Sequence, residues 1–262
     1  MQSVTWADPS VRGALAALKR AQPFTYGLTN YVTANFNANV LLALGAAPAI
    51  GTAVGWPRAF GAGASAMWIN TAALMSCEPA AMLEAAQAAQ AAGTPWVLDP
   101  VAIGAGASEY DAAVRALLPC KPAVIRGNAS EIIALAGSGA GGKGVESTAR
   151  SDDAVAVAQA FARQTGAVVA VSGPTDYLTD GEQVLAVPGG DARLTRITGS
   201  GCSLGATVAA MLAAEPSALL AAAAAHACFA VASERAGAAV RGTGSFATAF
   251  VDELSLLDPA EA

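Results

Sequence analysis

The chain is poor in charge, and basic charge is scarcer than acidic. Only 13% of its 262 residues are Asp, Glu, Lys or Arg, and fourteen basic against twenty acidic residues leave a net charge of −6. No stretch gathers Lys and Arg together, so the electrostatic footprint of a nucleic-acid binder is missing. Cysteine is scarce too. Cys77, Cys120, Cys202 and Cys228 are scattered without a Cys-x-x-Cys pair. A chain this long has no need of disulfide staples, which fits free thiols in a reducing cytoplasm. The opening residues lack a charged segment followed by an unbroken apolar run, so no secretory signal is expected there. The longest apolar run, ALLAAAAAHACFAVA, is mainly Ala with a His inside. It is too short and too weakly hydrophobic to cross a bilayer and predicts a buried helix. Neither nucleic acid nor a membrane is an expected partner.

Small apolar residues are plentiful. At 54% hydrophobic composition the chain can bury a sizeable core, and a single α/β domain over residues 1–262 is expected. DPSVRGALAALKR opens as a helix, with Asp8 as cap candidate and Pro9 at the first helical position. Apolar pieces then alternate with helical ones. FTYGLTN precedes NFNANVLLALGA, AMWIN precedes EPAAMLEAAQAAQAAG, PWVLDP precedes SEYDAAVRALL, AVIRGN precedes SEIIALAG, and SDDAVAVAQAFARQTG leads into AVVAVSG. This alternation predicts a mostly parallel sheet with helices on both faces. Asp180-Gly181, inside DYLTDGEQVLAV, signals an antiparallel hairpin. Three helices close the chain, near residues 201–214, 217–237 and 245–257, and a strand-like run precedes the first of them.

Ligands of open α/β sheets bind beyond the carboxyl ends of the strands. The polar residues at those ends are Asn30, Asn70, Asp99, Arg126, Asn128, Ser172 and the turn from Gly199 to Cys202. One guanidinium, one carboxylate, amides and a glycine turn suit a phosphate and a metal better than a hydride cofactor. No Gly-x-Gly-x-x-Gly follows the first strand, so a dinucleotide dehydrogenase has little support. GSGAGGKG, residues 137 to 144, approaches the phosphate loop Gly-x-x-x-x-Gly-Lys-Ser/Thr. It ends in Gly144 where a hydroxyl should hold Mg²⁺ and follows a helix, not a strand, so no phosphate role is expected of it.

Each remaining signal carries a structural reading beside a chemical one. Asn128 and Glu131 have the Asn-x-x-Glu form of a capping box, which alone would explain both. Arg126, just before the cap, could reach phosphate oxygens. Asp99 in LDPV could simply form a turn; paired with Glu131 it would serve Mg²⁺ and its waters. His226 has no polar neighbour three or four residues away and reads as a satisfied, partly buried histidine, while Cys77, Cys120 and Cys228 read as apolar fillers. Only Cys202 combines a glycine-rich approach with a helix start. Unpaired amides there make GSGC an anion hole for a transferring phosphoryl group, formed by Gly199, Ser200, Gly201 and Cys202. The same field lowers the thiol pKa from about 8.5, and a nearby triphosphate pushes it back up.

Several stretches together resemble the hydroxyethylthiazole kinase family of thiamine salvage: LTNYVTANFNANVLLALGAAPAI, WINTAAL, PWVLDPVAIGAGA, KPAVIRGNASEIIALAG, VVAVSGPTDYLTDG, RITGSGCSLGATVAA and GTGSF. The resemblance runs from about residue 12 to 255. It implies a ribokinase-like three-layer α/β/α sandwich that moves the γ-phosphoryl of ATP onto the primary alcohol of 4-methyl-5-(2-hydroxyethyl)thiazole with Mg²⁺, in homotrimers with active sites between subunits. By the same resemblance Arg126 and Ser172 bind ATP, while Gly199 and Ile50 contact the acceptor; Asn30, a polar strand end, is a further acceptor-side candidate. Asp99 and Glu131 support the metal and phosphates, and Cys202 is the base, where wider ribokinase-like enzymes carry aspartate. Three features depart from the family pattern: Ile50 in APAI replaces the usual Met, TAVGWPRAFGAGAS lacks an acidic run, and NTAAL replaces Asn-Ile/Val-Gly-Thr-Leu. A kinase for another small heteroaromatic alcohol, such as a hydroxymethylpyrimidine, and a catalytically silent ligand-binding relative are the competing expectations.

Overall fold

The computed structural model describes residues 1–137 and 151–261, the side chains of 151–153 excepted. Apart from Gly137, the stretch GSGAGGKG lies outside the described residues. Among the described residues nine strands form one sheet: β1 (Gln2–Ser3), β2 (Phe24–Leu28), β3 (Ala47–Ile50), β4 (Ala66–Asn70), β5 (Trp96–Asp99), β6 (Val124–Asn128), β7 (Val168–Ser172), β8 (Thr175–Thr179) and β9 (Val184–Pro188). Their order is β1-β9-β8-β7-β6-β5-β4-β2-β3. Only the β7–β8 and β8–β9 pairs are antiparallel. The second of these is the hairpin turned at Asp180-Gly181, where Asp180 Oδ1 accepts from the N–H groups of Glu182 and Gln183.

Helices cover both faces. On one lie α1 (Pro9–Ala21), α2 (Ala34–Leu44), α8 (Ser200–Leu212), α9 (Ala218–Ala239) and α10 (Thr243–Leu256); on the other α3 (Trp56–Gly63), α4 (Pro79–Ala92), α5 (Ser108–Arg115), α6 (Ala129–Leu135) and α7 (Ser151–Thr165). Strand residues alternate between the two cores. Trp68 and Val97 join the first face, Met67, Ile69, Trp96 and Leu98 the second. Burial on both sides is why β4 and β5 read as continuous apolar runs rather than alternating ones. The Ala-rich run is indeed a buried helix: α9 buries every residue from Ala221 to Phe229, as expected of a helix apolar all round. Among the described residues no helix is long and apolar enough to cross a membrane.

Two local readings are corrected, and one strand is added. Asp8 occupies the cap position of α1, but its carboxylate turns back to accept from Thr5 N–H at 2.6 Å and does not cap the helix. The expected strand before Gly199 is a 3₁₀ turn over Ala192–Arg196. Asp191 Oδ1 accepts from Arg193 N–H, and the Arg193 guanidinium donates to Val240 O and Gly237 O, so side-chain bonds curl a segment that β-propensity would extend. APAI, which carries no strand signal of its own beside Pro48, becomes edge strand β3 by pairing with β2.

Candidate active site

Strand register brings the polar edge together. Asn70 and Asp99 are partners across β4 and β5, and Asn128 and Ser172 across β6 and β7. Asn70 Nδ2 donates to Asp99 Oδ2 at 2.9 Å. Arg126 Nη2 donates to Ser172 Oγ at 2.8 Å, and Nη1 donates to Gly201 O at 3.0 Å and pairs with Asp99 Oδ2 at 3.5 Å. One guanidinium therefore ties three strand ends to the first turn of α8.

The turn itself matches the expected anion hole in form. Gly199 sits in the left-handed region at φ 93° as the cap residue of α8, and no side chain caps the helix. The N–H groups of Ser200, Gly201 and Cys202 thus precede the first i to i−4 bond, donated by Ser203 to Gly199 O. Two glycines of α8 approach the cluster closely: a Cβ at Gly201 would stand 3.3 Å from Arg126 Nη1, and one at Gly205 3.3 Å from Asp99 Oδ2, close enough that either neighbour would have to give by a few tenths of an ångström. Four residues apart, both glycines share one helix face.

Cys202 lies half-buried beside this cluster. Burial pushes its thiol above the ordinary range and the Asp99 charge adds to the rise, while Thr33, Arg126 and Asn70 pull it down. The net direction, which the sequence left open, is upward, with desolvation of the thiolate as its largest cause. Asp99 is nearly sealed from solvent. Its carboxyl is pushed up to about 7 by burial, against the Arg126 guanidinium, with Glu131 adding to the rise.

The capping box exists as predicted. Asn128 Oδ1 accepts from Glu131 N–H, and Glu131 Oε2 accepts from Asn128 N–H, both at 2.9 Å, while Glu131 Oε1 accepts from Ala102 N–H at 3.0 Å. Oε1 thus holds the loop after β5 and Oε2 the start of α6, and both oxygens keep further lone pairs. Among the described residues no group of three or more His, Cys, Asp and Glu could hold a metal by itself. An ion bridging a triphosphate needs only one or two carboxylates and keeps several waters. Asp99 Oδ1, buried without a hydrogen-bond partner, has the chemistry for that, so the residues present fit Mg²⁺ arriving with nucleotide.

Other residues fall to either side. Arg126, Ser172, Ser200 and Gly201 line a cavity of about 550 Å³ that also includes Asp176, His226 and Phe229. Asn30, buried after β2, spends Oδ1 on Thr33 N–H at 3.0 Å. Ile50 ends β3, half-buried against the first core. Cys120 and Cys228 are buried, and Cys77 is only half-buried. Of the buried cysteines, Cys228 is pushed up to about 12 by burial. His226 is buried but only half satisfied, with Nδ1 on Asp176 Oδ2 at 2.6 Å and Nε2 without a partner.

Sequence reasoning missed Thr33, Gly205 and the Asp176–His226 pair. The Gly201/Gly205 spacing was a readable signal of close approach; the pair, fifty residues apart, was not.

A family model described as the hydroxyethylthiazole kinase family matches residues 15–260. A hydroxyethylthiazole kinase of Burkholderia pseudomallei (strain 668) is 67% identical over 261 residues, spanning 100% of this chain and 94% of that one. The solved structure of a hydroxyethylthiazole kinase protein from Pyrococcus horikoshii OT3 has a TM-score of 0.83 at 32% identity, covering 95% of this chain and 93% of that one. A ribokinase-like superfamily protein from Enterococcus faecalis V583 shares the fold alone, with a TM-score of 0.64 at 10% identity over 97% of this chain and 95% of that one. Matched over nearly its whole length, and built as a ribokinase-like three-layer sandwich, the chain belongs to the hydroxyethylthiazole kinase family.

Proposed function

We propose that this protein transfers the γ-phosphoryl group of ATP to the hydroxyl of 4-methyl-5-(2-hydroxyethyl)thiazole, a step of thiamine salvage in the cytoplasm. The observation that carries the proposal is the Arg126 junction: one guanidinium bonds Ser172, the carbonyl of Gly201 and Asp99 beside an uncapped helix start. Such a junction holds a phosphate chain against α8, where the amides from Ser200 to Cys202 take up charge on the migrating group. Arg126 and Ser172 bind ATP; Asn30, Ile50 and Gly199 contact the acceptor. Asp99 and Glu131 would hold Mg²⁺, which supplies charge neutralisation at the phosphates when bound. Cys202 orients the acceptor hydroxyl and takes its proton as thiolate. Phosphoryl transfer passes through a loose transition state in most analyses, so positioning outweighs base strength. A thiol held high by burial is compatible with that order of importance.

The acceptor side is supported as an intersubunit site by what lies exposed there. Tyr31, Val32, Val54 and Met75 are large apolar residues open to solvent, on the segments that follow β2 and β3 and in the 3₁₀ turn after β4. A homotrimer with sites between subunits would cover them.

Incubation of the purified protein with Mg·ATP and the thiazole alcohol tests the reading. The phosphate ester is expected by mass spectrometry, with hydroxymethylpyrimidine as the competing acceptor. A preparation that binds nucleotide yet forms no thiazole ester would refute it.

A further inference from the structure

The cavity beside Arg126 contains one feature that phosphate binding does not use. Asp176, from β8, lines it together with His226, Phe229 and Ala230 of α9. A carboxylate there repels a triphosphate, so the part of a nucleotide that lies against Asp176 is an uncharged one. The apolar Phe229, Ala230 and Leu204 around the same space fit a nucleoside.

Asp176 is also held in place. Its Oδ1 accepts from Gly173 N–H at 2.8 Å, and its Oδ2 faces His226 Nδ1 at 2.6 Å. A carboxylate oxygen only accepts, so Nδ1 carries the ring proton. His226 is 0% exposed at its side chain, and Nε2 has no partner. Burying a ring nitrogen unsatisfied costs free energy, and what the ring does in return is aim the carboxylate. Asp176 itself is 20% exposed, and each of its oxygens has a second lone-pair site. Gly173 follows Ser172, the hydroxyl that Arg126 grips, so the same turn carries both a phosphate contact and the tether of Asp176.

We infer that Asp176, aimed by His226, accepts hydrogen bonds from the nucleoside hydroxyls of the phosphoryl donor. Asp176 is a binding residue and His226 a positioning residue. The inference rests on the kinase reading and adds a specificity element to it: the protein distinguishes ribonucleotides from deoxyribonucleotides through a carboxylate that no phosphate contact requires.

The test compares ATP, 2′-deoxy-ATP, 3′-deoxy-ATP and purine riboside triphosphate in the thiazole assay, with calorimetric binding of ADP and 2′-deoxy-ADP as a readout that needs no turnover. For at least one deoxy nucleotide the KM should rise about tenfold with kcat within about twofold, the size of one lost hydrogen bond to a charged group. Asp176→Asn, which keeps the shape, should collapse that ratio toward one. His226→Leu should lower it, and His226→Asn, whose amide can stand where Nδ1 does, should restore it. Equal constants for ATP and both deoxy analogues overturn the inference, as does an Asp176→Asn variant that weakens every nucleotide by one factor. Discrimination confined to purine riboside triphosphate overturns it as well, because the carboxylate then reads the base. Binding that discriminates ADP from 2′-deoxy-ADP in a protein that makes no ester would leave this inference standing and remove the proposed reaction.

Discussion

The two flanks of Asp99 are built differently. Toward Arg126 the chain supplies a wired cavity: a guanidinium with three partners, a hydroxyl, an uncapped helix start and a second carboxylate held by a histidine. Toward Cys202 the groups are Asn70, Thr33 and the half-buried thiol, none of which lines that cavity. Exposed apolar residues stand on the loops of that second side. Under the proposed function the first flank is the nucleotide half, preorganised within one chain, and the second is the acceptor half, to be completed by a neighbouring subunit. Charge explains the asymmetry. A triphosphate needs donors fixed in place before it arrives, whereas a small neutral alcohol is held by shape and apolar contact.

Variants on either flank should separate binding from chemistry. The largest effect is expected at Cys202. Cys202→Ala should lower kcat about 10²–10⁴-fold, the usual worth of general-base help, with the KM for ATP nearly unchanged. Cys202→Asp should keep substantial turnover. Steady-state kinetics checks both, and full activity in the alanine variant removes the base role.

Arg126→Ala comes next. It removes hydrogen bonds to Ser172 and Gly201, so the KM for ATP should rise about tenfold or more, with the KM for the alcohol moving far less. An unchanged ATP constant would merge the two flanks into one.

A smaller effect sharpens the same division. Because burial and Asp99 raise the Cys202 thiol, its alkylation by iodoacetamide should gain speed only above the pH at which an ordinary cysteine reacts. Asp99→Asn should shift that profile to lower pH. Peptide mass spectrometry across pH reads the rates, and a profile midpoint at or below the ordinary thiol value contradicts the assignment of burial as the dominant influence.

Much of the site was legible because it is local. The Asn128–Glu131 box, the Gly199–Cys202 turn and the strand-end Arg126 each announce themselves within a few residues, since caps and strand ends have fixed offsets. Asp8 shows the limit of that reasoning: the right residue stood at the right offset, yet its carboxylate found Thr5 first. The 3₁₀ turn at Ala192–Arg196 went unseen because its cause, the reach of Arg193 to Gly237 and Val240, spans more than forty positions of chain.

By itself the sequence determined the alternation of strands and helices, the Ala-rich buried helix and the glycine turn ahead of Cys202, all of which depend on periodicity and local backbone preference. Only the tertiary structure decided that desolvation would raise the Cys202 thiol, that Asp99 would be sealed under Gly205, and that His226 would meet Asp176 across fifty residues. Burial and long-range pairing are properties of the packed chain, and no local pattern carries them.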